Sequence, residues 1–87
     1  MDIYPGRIVV STAGRDKDRY FVVLSVENNF CYVSDGKVRK VDMPKKKKMK
    51  HLRVTEFFLN EIAEMLDAEQ TVTNSMIRRG IRNGTLR

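Results

Sequence analysis

The 87-residue sequence has no tryptophan, one cysteine, one histidine and two prolines, and no long apolar run. A lone cysteine, Cys31, excludes an internal disulfide framework and is compatible with a reducing cytosol. Cys31 and His51 are the only candidates for nucleophilic or metal chemistry, which is below the ligand count of a zinc site. Glu56, Glu61, Glu64 and Asp67 fall on the polar side of an expected helix, where solvation accounts for them. No catalytic constellation is visible, so the chain is expected to be non-enzymatic, with no cofactor, no metal and no small-molecule substrate. No apolar stretch approaches the roughly 20 residues that span a bilayer. The opening MDIYPGR has neither a basic start nor an apolar signal core. A cytoplasmic protein with no membrane partner is the expectation.

What the chain does have is cationic charge in one place. Residues 37–53 carry nine cations, Lys37, Arg39, Lys40, Lys45, Lys46, Lys47, Lys48, Lys50 and Arg53, against one acid, Asp42. The whole chain has a net charge of +6, so the flanking parts are slightly acidic. A concentrated basic site on a near-neutral body implies a polyanionic partner, with nucleic acid ahead of anionic lipid or an acidic protein. A hydrophobic content of 41% supports one modest core, so the chain is one small domain or a small domain with an appendage.

Hydrophobic periodicity divides the chain in two. Ile8–Val10 is a short β-branched run followed by a turn-rich loop. Residues 19–26, RYFVVLSV, are the strongest strand, and FCYVS at 30–34 is a third, after an Asn28-Asn29 turn. Asp35-Gly36 suits a type I′ hairpin, which predicts a fourth strand over 38–43, stopped by Pro44. The lysine run then reads as a loop, and 49–55 as a short fifth strand. From Thr55, which reads as an N-cap, the period lengthens: Phe58, Ile62, Met65 and Leu66 predict a helix to about residue 67 or 68. A second helix follows the cap Thr73 and carries Met76, Ile77 and Ile81, weakened by Gly80 and ended by Asn83-Gly84. Five short strands and tight turns are the pattern of a small SH3-like barrel over 1–54, with a helical extension over 55–87.

Residues 6–26, GRIVVSTAGRDKDRYFVVLSV, resemble a KOW motif: strand, a loop with an obligatory glycine, here Gly14, a basic residue, and a second strand. Such motifs occur in ribosomal proteins and in transcription elongation factors of the NusG and Spt type. The stretch 35–52, DGKVRKVDMPKKKKMKHL, is similar to small bacterial KOW-containing proteins related to the large-subunit ribosomal protein family numbered fourteen in archaea and eukaryotes. The resemblance covers about residues 5–55. It departs where the motif usually has a second glycine after its lysine: here the chain reads Lys17-Asp18-Arg19. The resemblance implies a KOW-type barrel that binds RNA, with ribosomal RNA and the large ribosomal subunit as partners, and an RNA-facing loop of Gly14, Arg15, Lys17 and Arg19. Glycine lets backbone approach a sugar-phosphate chain, and arginine grips phosphate bidentately.

The second expected RNA-binding group is Arg39, Lys40, Lys45, Lys46, Lys47, Lys48, Lys50, His51 and Arg53. Lysines also guard edge strands, but four in succession exceed what guarding needs. A nuclear-import signal or an anionic-membrane patch would look similar. Tyr20, Phe21, Phe30 and Tyr32 are core or base-stacking residues, and alternation requires one of Tyr20 and Phe21 to face outward. The helices are expected to dock on the barrel, with Arg78, Arg79 and Arg82 as secondary phosphate contacts and Arg87 beyond them. A partner-binding helix pair and a helix-turn-helix are the alternatives for this part. For the chain as a whole, the competing function is a protein–protein adaptor of the transcription or translation machinery.

Overall fold

The computed structural model describes residues 2–85. Its five strands are β1 (Arg7–Ser11), β2 (Tyr20–Glu27), β3 (Phe30–Ser34), β4 (Lys45–Lys48) and β5 (Leu52–Phe58), followed by helices α1 (Asn60–Asp67) and α2 (Asn74–Thr85). The protein is mainly β, a single antiparallel sheet in the order β4-β3-β2-β1-β5 with two C-terminal helices. The sheet is open, because among the described residues no ladder joins β4 to β5. These two edge strands are nonetheless linked by one 3-10 turn, Met49–His51. The turn is tied at both ends: Met49 N donates to Asn29 O at 2.9 Å and Thr12 N to His51 O at 2.9 Å. Three residues can join opposite edges of a five-stranded sheet only if the sheet is strongly curled.

The two faces of the sheet have separate cores. Val9, Phe21, Val23, Cys31, Val33 and Leu52 fill the concave face. Ile8 and Val22 project the other way, where Ile62 of α1, Val72 and Ile77 of α2 cover them. The helices thus dock on the sheet, as expected from their apolar stripes. Alternation along β2 resolves the aromatic pair, with Phe21 fully buried and Tyr20 39% exposed.

The first three strands agree with expectation; the fourth lies elsewhere, and the fifth strand and first helix are present but begin later than expected. Residues 38–43 form bends and one turn, with no strand among them. The Asp35 carboxylate accepts from both Lys37 N and Arg39 N at 2.9 Å, and Ser34 Oγ donates to Arg39 O at 2.6 Å. Side-chain acceptors take the amides that a hairpin ladder would have used. The fourth strand is instead the lysine run itself. An edge position suits it, since the long stems cover apolar surface while the ammonium groups reach water.

Thr55 does not cap a helix; its hydroxyl donates to Ile8 O at 2.6 Å within β5. The strand continues through Phe57 and Phe58 because β1 needs a partner on its second side and these residues have high strand propensity. Helix α1 therefore begins at Asn60. Thr73 does cap α2, accepting from Met76 N at 3.2 Å. That helix continues past Gly80 and Gly84, where a Cβ would come within 2.6 Å of Leu59 Cδ1 and 2.8 Å of Ile8 Cδ1 respectively. These glycines permit close packing.

Candidate nucleic-acid interface

The lysine strand alternates like any other. Cys31 pairs with Lys47 and Val33 with Lys45, so these two lysines share the concave face, while Lys46 and Lys48 pair with Tyr32 and Phe30 on the other. Lys46 and Lys48 are exposed. Lys47 is 8% exposed, and its Nζ donates to Ala13 O at 3.1 Å, fastening β4 to the β1–β2 loop. The four lysines are therefore not equivalent: three are available to an anion and one is already committed to the fold.

A surface cleft of about 400 Å³ collects residues distant in sequence. Gly14 and Arg15 enter it from the β1–β2 loop, Arg39 from the 35–44 segment, Lys45, Lys46, Lys47 and Lys48 from β4, and His51 from the 3-10 turn. Eight of the expected RNA-binding residues thus line one concavity. Arg39 is held by the carboxylate of Asp16, 3.3 Å from its guanidinium, and Asp16 is itself only 4% exposed. That pairing joins residues 23 positions apart, so no local pattern announces it, and it makes Arg39 an anchor between two loops as well as a cation. Phe30 also lines the cleft, with Lys46 Nζ 4.6 Å above its ring.

The other expected residues lie elsewhere. Lys17, Lys40 and Lys50 are exposed and do not line this cleft. Arg53 is opposite Val10, on the face away from Lys47. Arg19 lines a second cleft, of about 630 Å³, together with Tyr20, Lys37, Val38, Arg78 and Arg82. Lys37 and Ser75 join Arg78, Arg79 and Arg82 in an adjoining concavity of about 420 Å³. Arg87 lies outside the described residues. Lys37 belongs to this second group, and its position in the charge run gave no sign of it. Arg78 donates to Gly36 O at 2.7 Å, so α2 holds the turn that separates the two basic clefts.

Asp18 has φ 72°, a left-handed conformation. The following amides, Asp18 N to Ser11 O at 2.7 Å and Arg19 N to Asp16 O at 2.9 Å, fix the loop. Asp and Asn are the non-glycine residues that best accept this conformation.

No protein-family model matches the chain, and no curated protein is significantly similar to it. Among the described residues no helix is long and apolar enough to cross a membrane.

Beneath the lysine strand, burial pushes the Cys31 thiol from an ordinary 9.0 up to about 11. Desolvation disfavours the thiolate, so the folded protein holds the neutral form. Its contribution to stability is complete below pH 9 and is lost as the pH rises toward 11. At pH 8 the folded thiol is expected to react with a thiol reagent about a hundredfold more slowly than the thiol in denaturant, as a two-unit shift dictates. Equal rates would place Cys31 at the surface.

Proposed function

We propose that the protein is a non-enzymatic, cytoplasmic RNA-binding protein that engages ribosomal RNA of the large subunit through the cleft between the Gly14 loop and the lysine strand. The observation that carries this reading is the convergence of Arg15, Lys45, Lys46, Lys48 and His51 on one concavity whose walls come from five separate segments. A flexible lysine tail would bind polyanions without such a scaffold. A fixed array of cations selects for phosphates presented in a matching arrangement, which a folded RNA provides.

Two further features favour a KOW-type, SH3-like barrel. The edge strands of the sheet are joined by a single 3-10 turn, the connection a small curled barrel needs. Asp18, where the KOW resemblance has glycine, adopts the positive φ that glycine serves. The Gly14 loop is then the KOW loop, with Arg15 as its phosphate contact and Lys17 as a peripheral one.

Sedimentation of a lysate on a sucrose gradient, with and without ribonuclease, tests the proposal. The protein is expected to migrate with large ribosomal subunits and to return to the top of the gradient after nuclease treatment. Wild-type protein that stays at the top at low salt would refute the ribosomal reading. Migration that survives ribonuclease would identify a protein partner instead.

A further inference from the structure

We propose that the second cleft, between the start of β2 and helix α2, takes an unpaired nucleotide of the bound RNA, with its base stacked on Tyr20 and guanine preferred. This rests on the RNA-binding reading and adds to it a site of different chemistry. The first cleft offers mainly cations. The second pairs an aromatic face with an apolar wall and rings both with cations: Tyr20 and Val38 are 39% and 63% exposed, and Arg19, Lys37, Arg78 and Arg82 surround them.

Tyr20 is well built for stacking. It is the first residue of β2 and is fixed in register opposite Val10, so its ring is carried on a strand and not on a mobile loop. Its hydroxyl makes no hydrogen bond among the described residues. Val38 is presented by a turn that is held rigid by the Asp35 carboxylate and by Arg78 on Gly36 O. An exposed aromatic and an exposed aliphatic side chain gain nothing from a phosphate, whereas a base has two apolar faces to cover. The encircling cations, three arginines and one lysine, give the rim of the cleft positive charge. They suit the phosphates on either side of a splayed base. A paired base has both faces already stacked, so the occupant is single-stranded.

The base is chosen by its edge. Asp18 lines the same cleft, and its carboxylate makes no hydrogen bond or ion pair among the described residues. An ionised carboxylate only accepts hydrogen bonds. Guanine offers it two adjacent donors, N1–H and N2–H, while uracil offers one and adenine places an acceptor beside its amino group.

The volume, about 630 Å³, accommodates one nucleotide with room for its phosphates. The turn between the two clefts contributes to both, Arg39 to the first and Lys37 to the second.

Fluorescence anisotropy with the full chain tests this, using a labelled uridine decamer, the same decamer with one central guanosine, and a blunt RNA duplex. Wild type should bind the guanosine decamer more tightly than the uridine decamer. Tyr20→Leu should weaken both single strands about tenfold and leave duplex affinity unchanged, and Asp18→Asn, which keeps a residue tolerant of positive φ, should abolish the guanosine preference. In wild-type protein the Tyr20 ring protons should shift upfield as the guanosine decamer is titrated, a readout that needs no variant. Single-strand binding that Tyr20→Leu leaves unchanged, or ring protons that do not move, would overturn the nucleotide site while the phosphate cleft stands. Failure of all three RNAs to bind would overturn both.

Discussion

Replacing Gly36 with alanine is expected to cost the protein about 2–4 kcal/mol, among the largest losses open to a single methyl group. Gly36 has φ 74°, and a Cβ there would lie 2.5 Å from Asn74 O and 3.0 Å from Arg78 Cγ. The first of these is backbone at the start of α2 and cannot rotate away. Asn74 also accepts from Val41 N at 2.8 Å through its side chain, so moving it loosens the 35–44 segment as well. The Gly36 carbonyl that receives Arg78 shifts with the same backbone. In a domain of this size each kcal/mol lowers the melting temperature by about 4–8 °C, so circular dichroism should record a fall of roughly 10–25 °C. Gly14→Ala is the control. Its φ is 78°, but a Cβ there meets only Lys47 Nζ at 3.9 Å. It carries the conformational cost alone, about 1 kcal/mol. Equal losses at the two positions would show that the contact between this turn and α2 is not formed.

The second large effect concerns binding. Changing Lys45, Lys46 and Lys48 together to alanine is expected to weaken RNA binding by roughly 30- to 100-fold at moderate salt, because three phosphate neutralisations are removed from the cleft. Lys47 should behave differently. Lys47→Met keeps the stem and loses the hydrogen bond to Ala13 O, so it should cost about 1 kcal/mol of stability and change RNA affinity little. Filter binding and thermal melts on both variants separate these roles. A Lys47→Met loss of affinity as large as that of the triple variant would mean that all four lysines reach the RNA.

The contrast between these lysines shows what could and could not be read from the chain. The β-branched and aromatic runs placed β1, β2 and β3 nearly to the residue, since strand propensity and burial agree there. The lysine run reads as a loop because its strand pairing has no hydrophobic period of its own. It is specified by β3, whose Phe30–Val33 segment needs a partner, and by the Asp35 turn, which takes residues 38–43 out of competition. Thr55 misled in a related way: threonine before glutamate suits an N-cap, yet the neighbouring β1 used it as a strand residue. Tertiary pairing outweighed local preference at both places.

The candidate site was legible as charge but not as geometry. The cations of residues 37–53 are plain in the sequence, and eight expected residues do meet in one cleft. Their division into two clefts depends on which way Lys37 and Arg39 point, and that is set by a turn whose hydrogen bonds run to side chains. The Arg39–Asp16 pair and the exposure of Tyr20 against the burial of Phe21 are likewise properties of the assembled sheet.

The central claim is that fixed cations in the first cleft bind RNA phosphates, and the salt dependence of binding tests it most directly. Affinity for a structured ribosomal RNA fragment, measured by anisotropy across a range of potassium chloride concentrations, should fall log-linearly. If Arg15, Lys45, Lys46 and Lys48 each neutralise a phosphate, the slope should be about −2.8 to −3.6, and the triple lysine variant should flatten it to about −1. A slope near zero for the wild type, or one that the triple variant leaves unchanged, would contradict the claim.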